Sequence, residues 1–165
     1  MALTRINNQA LTNVTSAGVS KVAGEIIQIK RVNAQTTGNI GTSSTSFVSS
    51  GISVSITPKK SNSIIHVDYI GSMGDSASAN YMQTQMWIKV GSGSASAMAG
   101  SGSYTLGYQE GTHNRYSPFV CSSKYTATST DEITFYVYYK SGNGNNCRIA
   151  HDGSSYSITA TEVAQ

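Results

Sequence analysis

The arrangement in this chain most suggestive of acid–base chemistry is His66-Val67-Asp68. On an extended strand, side chains two residues apart share a face, so Asp68 could hold the imidazole of His66 in one tautomer. A hydrolase built on that pair also needs a nucleophile within hydrogen-bond reach, and no motif places a serine or cysteine there. The pair therefore reads as a polar couple on the outer face of a strand. Cys147, His151 and Asp152 superficially resemble parts of a cysteine hydrolase. On a strand, however, Cys147 and His151 would lie about 13 Å apart, too far for proton transfer. They also supply too few ligands for a structural metal site. Among the eight carboxylates only Asp131 and Glu132 are adjacent, at the start of a predicted strand where water reaches them. The glycine pairs Gly100-Ser-Gly102 and Gly142-Asn-Gly144 are not framed by a strand and a helix, so neither reads as a phosphate cradle. The sequence assigns no catalytic residue, cofactor or metal ligand, and the expectation is a protein that is not an enzyme.

Binding chemistry has a better candidate. The stretch Tyr104–Tyr116 gathers Tyr108, Gln109, Glu110, His113, Asn114, Arg115 and Tyr116. Aromatic rings stack on sugar faces while amides and charges hold hydroxyls, which makes Tyr108, His113, Arg115 and Tyr116 the candidate receptor contacts. The plainer alternative is a polar loop whose tyrosines pack its own base.

These groups must be carried by strands. From Gly24 onward, short alternating segments sit in loops rich in Ser, Thr, Gly and Asn, with no helical periodicity. Glu25–Asn33 is predicted as the first strand, with Ile27 and Ile29 on one face. In Ser46–Thr57, Ile52, Val54 and Ile56 face one way, and Pro58, which cannot donate to a ladder, ends the strand. Ser63–Ile70 sets Ile65, Val67 and Tyr69 inward. Tyr81–Val90 does the same with Met82, Met86, Ile88 and Val90, and Glu132–Lys140 with Ile133, Phe135, Val137 and Tyr139. Ser155–Val163 is the last strand. Shorter strands are expected at Tyr104–Gln109, Arg115–Ser122 and Cys147–His151, and loops at Gly71–Ala79, Gly91–Gly102 and Ser141–Asn146. Eight or nine closely spaced strands predict a single antiparallel, jelly-roll-like β-sandwich over residues 24–165. Trp87, Tyr136 and Tyr138 fall on the faces opposite the core. Aromatic residues there suggest cover by a ligand or a neighbouring subunit, and a homo-oligomer, by analogy a homotrimer, accounts for them economically.

Residues 1–23 read differently. Leu3, Ile6, Leu11, Val14 and Val19 are spaced too widely for a core helix, and the Asn and Thr between them favour turns. A solvated tail is one reading; the other, which we favour, is an extended N-terminal arm that buries those side chains against a partner. Charged residues make up only 12% of the chain, about half the usual share, so polarity comes from hydroxyls and amides. The net charge of +3 is spread thinly, with Lys30-Arg31 and Lys59-Lys60 the only adjacent cations. A phosphate-tracking surface needs more clustering, so nucleic acid is not expected as a partner. No apolar run is long enough for membrane insertion, and the first twenty residues lack a secretory h-region. Cys121 and Cys147 could form one disulfide if their strands were adjacent, but two free, partly buried thiols are expected.

Several stretches carry a resemblance. The opening MALTRINNQALTNVT resembles the N-terminal segments of tail-fibre and related structural proteins of marine and cyanobacterial phages. GEIIQIK, TSSTSFVSSGISVSITPKKSNSIIHVDYIGSM and SYSITATEVA are similar to a pattern that recurs in the same proteins. The resemblance implies a virion component with a trimeric β-sandwich tip and a short attachment arm. Its partner would be another virion protein or a host surface glycan. Shaft repeats are not visible, so a short tail fibre, an adaptor-borne receptor-binding tip and a capsid decoration protein all fit. A lectin-like or hydrolytic secreted protein is the more distant alternative.

Overall fold

The computed structural model describes residues 23–75, 80–99, 108–109, 115–150 and 152–165. These residues form eleven strands and no helix. In chain order the strands are β1 (Ile26–Gln35), β2 (Ile40–Thr42), β3 (Val48–Ile56), β4 (Ile64–Asp75), β5 (Asn80–Val90), β6 (Ser96–Ala97), β7 (Tyr108–Gln109), β8 (Arg115–Thr126), β9 (Ile133–Ser141), β10 (Cys147–Ala150) and β11 (Ser155–Val163). Every pairing is antiparallel. One sheet runs β1-β11-β4, with β8 on the far side of β4 and β10-β2 extending it at one corner. The other runs β3-β9-β5-β6, with β7 also on β5. Setting aside the short β2, β7 and β10, the sheet orders β1-β11-β4-β8 and β3-β9-β5-β6 are those of a jelly roll, and the expected sandwich is what forms.

The alternation in the sequence is the cause. β9 is buried at every second residue, from Ile133 through Phe135, Val137 and Tyr139 to Ser141. Its inward row meets Ile65, Val67, Tyr69, Ile158 and Ala160 from the facing sheet. Fully burying each such aliphatic or aromatic side chain contributes roughly 1.5–3 kcal/mol.

Departures from the expected elements have local reasons. Ile27 and Ile29 do not share a core face. A bulge between Ile26 and Gln28 shifts the register, and Ile29, opposite Thr161 on the outer side of the sheet, is 55% exposed. The segment 71–75, expected as loop, continues β4, because β8 pairs with β4 along its whole length to Asp75. β8 itself runs to Thr126, beyond the expected Ser122. β2 and β6 are too short to show alternation.

Gly71 lies against the phenol end of Tyr69, two residues back on the same strand. A Cβ there would strike the phenol of Tyr69, whose Cζ lies 2.6 Å from the Cβ position. We expect Gly71→Ala to cost about 1–3 kcal/mol by overpacking. Gly38→Ala, where a Cβ meets open space, should be close to neutral. Urea unfolding of the two variants checks the contrast.

The registers define two ends of the sandwich. At the arm end, the Gly24 amide donates to Ala164 O at 2.9 Å and the Ala164 amide to Glu25 O at 2.9 Å, so the chain enters beside the last strand. At the opposite, loop end lie Gln35 beside Ser155, Asp75 beside Arg115, and Asn80 beside Gln109.

Candidate functional site

The stretch proposed for receptor contact is anchored at the loop end. Tyr108 pairs with Tyr81, Arg115 with Asp75 and Tyr116 with Gly74, all on the final residues of β4 or the first of β5. The strand ends thus bring Tyr108, Arg115 and Tyr116 to one end of the molecule. His113 and the rest of the loop lie outside the described residues.

The described surface at this end adds residues that sequence reasoning missed. A shallow depression of about 510 Å³ is lined by Asn33, Gln35, Ile70, Tyr156 and Ser157 among others. A second, of about 360 Å³, shares Gln35 and Tyr156 and is otherwise lined by residues 36–40. Tyr156 is half-buried, and its ring packs on that of Tyr69 at 6.3 Å between centroids. The flanks are fastened to the turn that leads into β11: Gln35 Nε2 donates to Gly153 O at 2.8 Å, and the Asp152 amide donates to Asn39 Oδ1 at 3.2 Å. Amides, hydroxyls and one tyrosine along these depressions are the chemistry of a weak site for polyhydroxylated ligands. Only the tyrosine in SSYS could have flagged it, and nothing in the sequence sets that residue beside Gln35.

His66 and Asp68 do share the outer face of β4, and Ser122 sits opposite Asp68 on β8. With Lys124 they line a depression of about 370 Å³. No hydrogen bond joins His66 to Asp68 or Ser122, so the three do not form a Ser–His–Asp relay. Asp131 and Glu132 are exposed. His151, of the Cys147–His151 pair, lies outside the described residues. Cys121 and Cys147 are free thiols. Burial is the main cause that raises the Cys121 pKa, with Asp68 adding to it and a hydrogen bond from Thr84 opposing it.

Trp87, Tyr136 and Tyr138 are brought together on the outer face of the second sheet. Trp87 pairs with Tyr136 across β5 and β9 and stacks on Tyr138 at 4.1 Å with the rings 9° from parallel. Trp87 Nε1 donates to Gln85 Oε1 at 3.0 Å, and Lys140 Nζ sits 4.9 Å from the Phe47 ring centroid. All three aromatics are half-buried within the single chain, so much of their cover comes from one another.

At the arm end the sequence reading missed Glu162, fully buried on the core side of β11. Its carboxylate accepts from Ser63 Oγ at 2.7 Å, Gln28 Nε2 at 2.6 Å, and the amides of Lys59 and Lys60 at 2.9 and 3.3 Å. Burial alone would raise its pKa. The bonds from Ser63, Lys59, Gln28 and Lys60 outweigh that and hold it below the ordinary carboxylate value. Leu3, Ile6, Leu11 and Val14 lie outside the described residues.

No protein-family model matches the chain, and no curated protein matches it in sequence. Solved structures do share its fold. The crystal structure of the VP2 subviral particle of infectious bursal disease virus aligns with a TM-score of 0.50 at 12% identity, over 82% of this chain and 33% of that one. A structure of the Gx strain of the same virus aligns with a TM-score of 0.49 at 9% identity, over 82% and 32%. The chain spans about a third of the length of the proteins it matches. At this identity the likeness establishes the sandwich fold.

Proposed function

We propose that this chain is a structural protein of a phage particle, a short tail-fibre or receptor-binding module held by its arm end and meeting the host surface with its loop end. The observation that carries the reading is this polarity. Gly24 and Glu25 are bonded beside the C-terminal strand, while Tyr156, Gln35 and the anchors of the Tyr104–Tyr116 stretch are all at the other end. A module so built can be fastened without covering its contact surface. The depressions described at the opposite end are shallow and lined by hydroxyls and amides, which suits a host surface glycan. Weak single sites become useful through multivalency, so a homotrimer would raise avidity without any deep pocket. The reading needs no catalytic residue, cofactor, metal, nucleic acid or membrane insertion. It places the protein in the virion, assembled in the host and acting outside it.

A second reading, capsid decoration, draws on the sandwich shared with a viral particle protein. The two part on location. A cryo-electron reconstruction of the purified particle should show trimers confined to the tail or baseplate. Copies distributed over the shell would replace host contact by decoration, and absence from the particle would overturn both.

A further inference from the structure

The sheet edges are not equally protected. β8 carries Pro118 and Lys124 on its outer edge. β3 is interrupted by a bulge between Ser49 and Ser53, with Gly51 at φ 77°, where Ser50 Oγ donates to Val137 O at 2.6 Å. β6 and β7 are two residues each. These are the ordinary devices that stop a sheet from recruiting another strand. β1 lacks them. From Gln28 to Gln35 it pairs residue by residue with β11 and, among the described residues, with no strand on its other side. It has no proline, and it exposes Ile29 at 55% and Val32 at 39%. Ile29 points to the outer face; Val32, opposite the buried Ile158, points toward the core.

That pattern has a counterpart in the chain. Leu11 and Val14 are three residues apart, as are Ile29 and Val32, so on a strand each pair has one member on each face. A single antiparallel register sets Leu11 opposite Val32 and Val14 opposite Ile29, with Thr12 facing Arg31 and Asn13 facing Lys30. The similar pair Leu3 and Ile6 fits less well, because the same placement sets Arg5 against Lys30, and like charges directly opposite are destabilising. Pairing β1 with β1 of another copy, centred on the strand, would set Lys30 or Arg31 against its own image.

We propose that the free edge of β1 accepts residues 10–14 of a second copy's arm as an added strand in this register. The same chain's arm is less suited. Gly24 and Glu25 are already bonded to Ala164, so the same chain would need residues 15–23 to loop back over the start of β1, with no two-residue hairpin signal at the tight reversal, Lys21-Val22. Each arm given to the next copy is a head-to-tail contact, which closes into a ring when the rotation permits. Leu3 and Ile6 then remain for the particle. The inference stands apart from the host-contact reading and holds whichever surface the loop end meets.

The test uses full-length chains in a Cys121→Ser background. A tagged chain with Val14→Cys is co-expressed with an untagged chain carrying Ile29→Cys and oxidised. Directly opposed strand residues are close enough for a disulfide. The expected product is a mixed-mass species that reductant dissolves, formed at least tenfold less when Lys30→Cys replaces Ile29→Cys. No mixed species, equal yields from the two partners, or closure only within a chain bearing both substitutions would each overturn the proposal. Light scattering gives an independent readout that leaves the sandwich intact: Leu11→Asp with Val14→Asp should convert oligomers to monomers, and unchanged mass would sink the idea.

Discussion

Replacing Glu162 by alanine is expected to cost about 2–4 kcal/mol, a fall of roughly 5–15 °C in Tm for a chain of this size. The carboxylate is the common acceptor for a hydroxyl, a side-chain amide and two backbone amides, from β1 and from the β3–β4 connection. Removing it leaves those donors facing an apolar gap, which costs more than the net worth of any one bond. It also unfastens the β3–β4 turn, since Lys59 and Lys60 are held there through their backbone rather than their exposed side chains. The sign of the pH dependence follows from the lowered pKa. Above the unfolded-state value of 4.5 the carboxylate is charged in both states, and its contribution is fully present. As pH falls through the folded value below that, the contribution is lost, because the unfolded chain takes up the proton more readily. Glu162→Gln keeps the volume and removes the titration, so its stability should fall less steeply than that of the wild type below pH 4.5. Parallel slopes for the two proteins in acid would show that another carboxylate governs the acid limb. Urea midpoints taken across that range give the answer directly.

The same residue shows where sequence reading stops. Ile52, Val54 and Ile56, or the row from Ile133 to Tyr139, announce their burial by strict alternation, and the core formed from them follows. Glu162 also lies on the inward phase of β11, between Ala160 and Ala164. Yet its partners are 99 to 134 residues away in the chain, and no local pattern could reveal a buried acid that satisfied. β8 was only half legible because it is an edge strand, where Pro118, Ser122 and Ser123 dilute the alternation that inner strands keep. The polarity of the sandwich was equally hidden. It depends on which strands pair, and the pattern of a strand does not name its neighbour. The outer aromatics were legible as a face, since Trp87, Tyr136 and Tyr138 all fall on the outward phase. That Trp87 would stack on Tyr138 depended on the β5–β9 register.

Tyr69→Ala should have the largest effect of any single substitution at the loop end, about 3–5 kcal/mol, near the upper range for a fully buried aromatic. Tyr69 is wholly buried; its ring meets Phe119 at 6.2 Å and Tyr156 at 6.3 Å, and its hydroxyl donates to Ile149 O at 3.0 Å. One side chain thus ties β4 to β8, β10 and β11, and through Tyr156 it supports the wall of the loop-end depressions. Tyr69→Phe isolates the hydroxyl: it opens no large cavity but strands the Ile149 carbonyl, for about 1–3 kcal/mol. Burial raises the Tyr69 pKa, with Tyr156 and Cys121 adding to it, and burial likewise pushes Tyr139 up to about 12. Both phenols therefore favour the fold fully below the unfolded value of 10.0. Above it their contribution is progressively lost, over the range 10.0 to about 12 for Tyr139. Tyr69→Phe should remove about one proton's worth of that alkaline slope. If Tyr69 supports the contact surface as well as the core, Tyr69→Phe should also weaken binding to host-derived glycan under conditions where the sandwich stays folded by circular dichroism. A loss of stability with binding unchanged would confine Tyr69 to the core and move the contact surface away from Tyr156.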